Sequence, residues 1–130
     1  MKIDQISVFL ENRKGRLLEV CALLGEQGIN IEALSIAESE KFGILRMVVD
    51  QPDRAVSLIQ SKKLTAEKTE LIAVEVEDRP GGLAGILARL ADHGINVEYM
   101  YGFPRKTGDK AVMVLRVECP EKAMACLGAL

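Results

Sequence analysis

At 130 residues the chain is long enough for one ordinary domain or two very small ones. Apolar residues make up 48% and charged residues 28%, the balance of a well-packed globular chain, and with aromatics at 4% and no Trp its core has to be aliphatic. A net charge of −2 removes the electrostatic reason to expect nucleic acid or an anionic membrane as partner, and no apolar run approaches the roughly 20 residues of a span.

In chain order, Met1 to Asp4 opens an alternating strand and not a signal peptide, which makes a cytoplasmic protein the default expectation. Ile3 to Leu10 reads as a strand with Ile6, Val8 and Leu10 on one face, and Glu11 to Gly15 as a turn. Leu17, Leu18, Val20, Cys21, Leu23 and Leu24 then fall at helical spacing, closed by Gly28. Strands follow at 29–36 and 44–49, the second dense in β-branched and aliphatic residues. Pro52 suits the first turn of a helix over 53–60, and 64–69 forms a weaker fourth strand. Strands at about 71–77, 95–103 and 110–118 and helices at about 82–92 and 120–128 repeat the series.

The repetition is residue by residue. Ile6–Leu17 lies over Ile72–Leu83, and Gly28–Glu32 over Gly94–Glu98, at a constant shift of 66 positions. Between positions 6 and 35, 12 of 30 residues are identical to their partners. Gln51–Ala55 matches Cys119–Ala123 at a shift of 68, so two residues are inserted in the second copy, most simply around Arg105–Asp109. The chain is therefore a duplication: module one over 1–69 and module two over 70–130, each βαββαβ. The counterpart of Leu64–Thr69 would lie beyond Leu130, so the second copy is expected to lack its final strand. Strand 71–77 would then present unpaired backbone groups to a neighbouring segment or a second subunit. No Gly, Pro or low-complexity run separates the copies, and they are expected to form one rigid unit.

Two pairs of segments can carry chemistry. The turns Glu11–Gly15 and Glu77–Gly81 each end a strand and open a helix, where unpaired N–H groups and the helix dipole suit a carboxylate or phosphate. Gly15 and Gly81 allow close backbone approach, while Asn12 and Asp78 read equally as helix caps. Asn30 and Asn96 open strands, where an amide can both donate to and accept from an amino acid's head group, or simply bond its own turn. Cys21, Cys119 and Cys126 form an odd, widely spaced set without CxxC, which argues against disulfides and zinc, and His93 fits a helix C-terminus without catalysis.

The Glu11–Gly15 turn followed by Gly28–Ile31, and Asp78–Ala84 followed by Gly94–Val97, resemble ACT domains, the regulatory modules of many amino-acid-metabolism enzymes. The resemblance covers essentially the whole chain, twice. It implies an α+β, ferredoxin-like βαββαβ fold, side-by-side pairing of modules into an eight-stranded sheet, and ligands, commonly amino acids, at the interface of paired modules. Carried over, the ligand-binding residues are Asn12, Arg13, Gly15 and Asn30 in the first module and Asp78, Arg79, Gly81 and Asn96 in the second. Lys14 stands where the family usually has Pro, which Pro80 keeps. Asp78 replaces the usual Asn and would repel a carboxylate. No residues are left over for a catalytic domain, so the expectation is a non-enzymatic sensor for an amino acid or similar metabolite. It would need no cofactor or metal, pair as a homodimer, and act on a regulated enzyme partner. The main rival is an assembly subunit that binds a protein partner with the pocket empty. Acylphosphatase chemistry lacks its Gly-rich loop here, and an RNA-binding sheet built on Tyr99, Tyr101 and Phe103 has no counterpart in the first module.

Overall fold

The computed structural model describes residues 1–128, apart from the side chains of residues 105–107. The elements run β1 (Lys2–Glu11), α1 (Arg16–Glu26), β2 (Ile31–Glu38), β3 (Phe42–Val49), α2 (Pro52–Ser61), β4 (Thr65–Glu77), α3 (Gly82–Asp92), β5 (Val97–Thr107), β6 (Lys110–Val117) and α4 (Pro120–Leu127). The duplicated ferredoxin-like series is thus present, with one change of grammar. The two strands expected at 64–69 and 71–77 are a single 13-residue strand. Nothing in Glu67–Glu70 breaks an extended backbone, so the ladder continues through it.

The chain divides into two compact units, Asp4–Thr69 and Met1–Ile3 with Glu70–Leu130. In the first, the strand order is β2-β3-β1 with the opening of β4 beside β1. β3 is antiparallel to both neighbours, with Val8 opposite Leu45 and Leu45 opposite Ile36. Alternation then puts Ile6, Val8 and Leu10 on the face that packs with Val20 and Leu24 of α1 and Ala55 and Ile59 of α2. Pro52 stands at the start of α2 and Pro120 at the start of α4, where the missing N–H costs nothing.

The second unit repeats this with Ile72, Val74 and Val76 against Leu90 of α3 and Ala123 and Leu127 of α4. β4 and β5 flank β6, both antiparallel to it. The inserted residues lengthen this hairpin. β5 runs on to Thr107 with a register shift between Phe103 and Lys106, so Arg105–Thr107 belong to the strand and Gly108–Asp109 make the turn. Tyr99, Tyr101 and Phe103 pack with Leu71, Ala73 and Val114, which gives this aromatic row a core role.

The far side of β4 in this unit is taken by the chain's own start. The Ala73 amide donates to the Met1 carbonyl at 2.8 Å, and Met1 N donates to the Ala73 carbonyl at 3.2 Å, the reciprocal exchange of an antiparallel pair. Ile3 packs with Leu71 and Ala73, and Lys2 pairs with Glu121 and, at 3.6 Å, with Glu70. The Lys2 ammonium holds the Glu121 carboxyl below the usual carboxylate range.

Candidate functional site

Each turn between the first strand and first helix of a module is built the same way. Gly15 and Gly81 occupy the N-cap positions with φ of 87° and 85°, and neither helix receives a side-chain cap. A side chain at such φ would press its Cβ on the following carbonyl, which explains glycine at both places. The expectation that Asn12 and Asp78 cap their helices is therefore corrected. Asn12 instead turns to the β2–β3 loop, its Nδ2 donating to the Ser39 carbonyl at 3.1 Å and its backbone N–H to the Lys41 carbonyl at 2.8 Å. The backbone bond recurs in the second unit, from Asp78 N–H to the Asp109 carbonyl at 3.2 Å. The side-chain donor does not recur, since a carboxylate has no hydrogen to give.

Asn12 Nδ2 also stands 3.5 Å from Glu38 Oε2. Replacing Asn12 by Asp would remove the donor and set two carboxylates face to face. The variant is expected to lose about 1 kcal/mol in urea unfolding, the worth of one hydrogen bond at a partly solvated site.

The turn arginines lie back along their own strands. Arg13 Nη1 is 3.6 Å from Glu11 Oε2, and Arg79 pairs with Glu77. Around each turn lies an open cleft. In the first unit about 260 Å³ is bounded by Asn12, Arg13, Arg16, Leu17, Ile36 and Glu38. In the second, about 390 Å³ is bounded by Asp78, Arg79, Pro80, Leu83, Ala111 and Met113. Asn12/Asp78, Arg13/Arg79 and Leu17/Leu83 are repeat partners, so the duplication reproduces the cleft and not only the fold. The apolar floor was missed by the sequence reading, although Leu17 and Leu83 are identical across the repeat. Each cleft offers a guanidinium on an exchangeable partner, an apolar wall and a helix start without a side-chain cap, which together can receive an anionic head group.

Gly82 and Gly85 replace Arg16 and Glu19, whose side chains pair at 2.8 Å in the first unit. Beside these glycines the second unit has a further cleft of about 400 Å³, edged by Arg79, Arg89 and Lys110.

Asn30 and Asn96 stand elsewhere. Asn30 exchanges backbone and side-chain bonds with Asp50 at the end of β3, its N–H donating to Asp50 Oδ1 at 3.0 Å and its carbonyl accepting from the Asp50 N–H at 3.1 Å. The Asn12 turn meets the opposite end of β2, so the two lie about 25 Å apart along an eight-residue strand. Asn96 likewise precedes β5, whose first residue pairs with Val117 at the far end of β6 from Lys110. Within a unit the turn and the strand-opening Asn do not converge. Among the described residues no three His, Cys, Asp or Glu side chains gather as a metal site requires, and no helix is long and apolar enough to cross a membrane.

The profile for an ACT domain pair matches residues 1–127. The chain belongs to the ACT domain pair family. ACT domains are regulatory modules, and both copies here have the ferredoxin-like fold of that family. Among solved structures this ACT pair is similar to a protein from Bacteroides thetaiotaomicron, with 37% identity and a TM-score of 0.90, over 98% of this chain and 87% of that one. It is also similar to the ligand-free regulatory subunit of aspartate kinase from Thermus thermophilus, with 16% identity and a TM-score of 0.69, over 95% and 89% of the two chains. The corresponding subunit from Thermus flavus gives 16% and 0.66 over the same shares. At that identity the two kinase subunits establish a common fold. No curated protein matches the chain.

Proposed function

We propose that this ACT pair is a non-catalytic sensor that binds an amino acid or a similar small metabolite in its turn clefts and signals through pairing of ACT modules. The observation that carries the reading is the reproduction of one cleft in both units, with an arginine, an apolar leucine and a helix start lacking a side-chain cap each time. Asn12 and Arg13 hold the head group in the first cleft, and Asp78 and Arg79 in the second, while Gly15 and Gly81 set the turns that place them and Gly81 lines the larger cleft beside it. The carboxylate of Asp78 makes the second the poorer acceptor of an anion. Asn30 and Asn96 reach the same ligand only when a second module is set alongside, and a homodimer is the form we propose for the completed site. Family membership and the fold shared with a kinase regulatory subunit support a protein that acts on an enzyme partner, in the cytoplasm. Control then requires that the ligand prefer one state of that partner over another.

Calorimetric titration against the twenty amino acids tests this. Heat is expected with one or a few of them, and Arg13→Ala should weaken binding to the first cleft roughly tenfold or more, as loss of a charge-assisted hydrogen bond does. Sedimentation should show the ligand shifting the dimer population. A second reading, an assembly subunit with the cleft empty, draws on Leu17, Leu18, Leu34 and Ile36, which stand exposed on α1 and β2. Silence across the panel, with a dimer that persists in Arg13→Ala, decides for assembly.

A further inference from the structure

We infer that the two turn clefts select ligand side chains of different size, the first a small one and the second a large apolar one. The selecting position is Ile36 in the first module and Gly102 in the second. This rests on the sensor reading and names the ligand class that each cleft of that reading accepts. The first cleft measures about 260 Å³ and the second about 390 Å³, and the difference has a local cause. Ile36 and Gly102 are repeat partners, as are Leu45 and Met113, and both sheets pair them, Ile36 opposite Leu45 and Gly102 opposite Met113. In the first unit the Ile36 side chain borders the cleft and lies over Gly43, 3.6 Å from where a Cβ on that glycine would stand. Leu45 beside it is fully buried. In the second unit position 102 has no side chain, and Met113 is half-buried and lines the cleft itself.

Nothing in β5 itself asks for glycine at this place. Gly102 does not take a positive φ, and it stands in the regular stretch of the ladder from Tyr99 to Phe103. Among the described residues a Cβ there would meet only Met113 Sδ, at 4.0 Å, an ordinary contact. Glycine weakens a strand interior, and one that neither backbone nor packing requires marks close approach by another group. Here that group is a ligand side chain resting on Met113, in the space that Ile36 fills in the first unit. The methionine thioether adapts to irregular apolar shapes, and Val76, Leu83 and Ala111 continue the apolar wall. The first cleft has Arg16 and Glu38 on its walls, which suit a small polar side chain.

Calorimetric titration of the full chain reads the clefts apart when one is weakened at a time, the first by Arg13→Ala and the second by Arg79→Ala. Glycine, L-alanine and L-serine are the small probes, and L-leucine, L-methionine and L-phenylalanine the large ones. The large probes are expected to bind the second cleft about tenfold or more tightly than the first, the worth of a few methylenes in an apolar pocket. Gly102→Ile should weaken L-leucine at the second cleft by about the same factor. Its urea midpoint should be no lower than the parent's, because a β-branched residue suits a strand better than glycine does. Ile36→Ala should in turn admit L-leucine to the first cleft. The same size preference in both clefts, or an L-leucine affinity that Gly102→Ile leaves unchanged, would overturn the inference while the sensor reading stands. Silence with every amino acid overturns the sensor reading and the inference with it. If Gly102→Ile fails to fold, Ile36→Ala decides, since that side chain is half-exposed.

Discussion

Replacing Gly82 by Ala is expected to cost about 3 kcal/mol of stability, at the upper end of what a forced contact usually costs. A Cβ at this position would stand 2.0 Å from the Glu77 carbonyl oxygen and 3.0 Å from its carbon, both main-chain atoms with no rotamer to swing away. The turn is also tied: Arg79 N–H donates to that same Glu77 oxygen at 2.9 Å, and Gly82 N–H to the Arg79 carbonyl at 3.0 Å. Relief of the overlap therefore breaks at least one bond or moves the end of β4. Gly85, one helical turn on, gives the opposite sign. A Cβ there meets nothing within 4 Å, so Gly85→Ala should stabilise by roughly 0.5–1 kcal/mol through helix propensity. Urea unfolding of the two variants measures both. Equal midpoints for Gly82→Ala and the parent chain would mean that the Glu77–Gly82 turn is looser than this geometry.

Removing Met1–Ile3 is expected to cost about 2–3 kcal/mol and to fall on one unit. The segment supplies a reciprocal pair of hydrogen bonds to Ala73, part of the apolar cover of Leu71, and the Lys2 pairings with Glu70 and Glu121. Two hydrogen bonds and a partly buried Ile account for most of the figure, while the exposed ion pairs add little. Hydrogen exchange locates the effect. The Ala73 amide should lose protection in the truncated chain, and the amides of β3, in the other unit, should keep theirs. Uniform loss at both places would show that the N-terminal strand stabilises the chain as a whole and not the edge of β4.

What was legible in the sequence was whatever repeats or alternates locally. The alternation of Ile6, Val8 and Leu10, the helical spacing from Leu17 to Leu24 and the prolines at 52 and 120 sufficed to place β1, α1, α2 and α4 to within a few residues. The turn residues were legible as well, because Gly15 and Gly81 recur where a backbone at positive φ is required. Two things were not. The junction at Thr69–Glu70 looked like the end of one strand and the start of another, although extended backbone needs only the absence of a breaker to continue. The separation of Asn12 from Asn30 follows from antiparallel pairing, which sends β2 away from the turn. Local spacing carries no record of strand direction, so motif order along the chain does not reveal that Asn12 and Asn30 stand at opposite ends of β2.

Because β1 contributes its first two residues, with Met1 before them, to one unit and the remainder to the other, the boundary of the repeat is not a place where this protein can be cut. A fragment ending at Thr69 would keep Met1–Ile3 with nothing to pair them to, and a fragment beginning at Glu70 would inherit an open edge on β4.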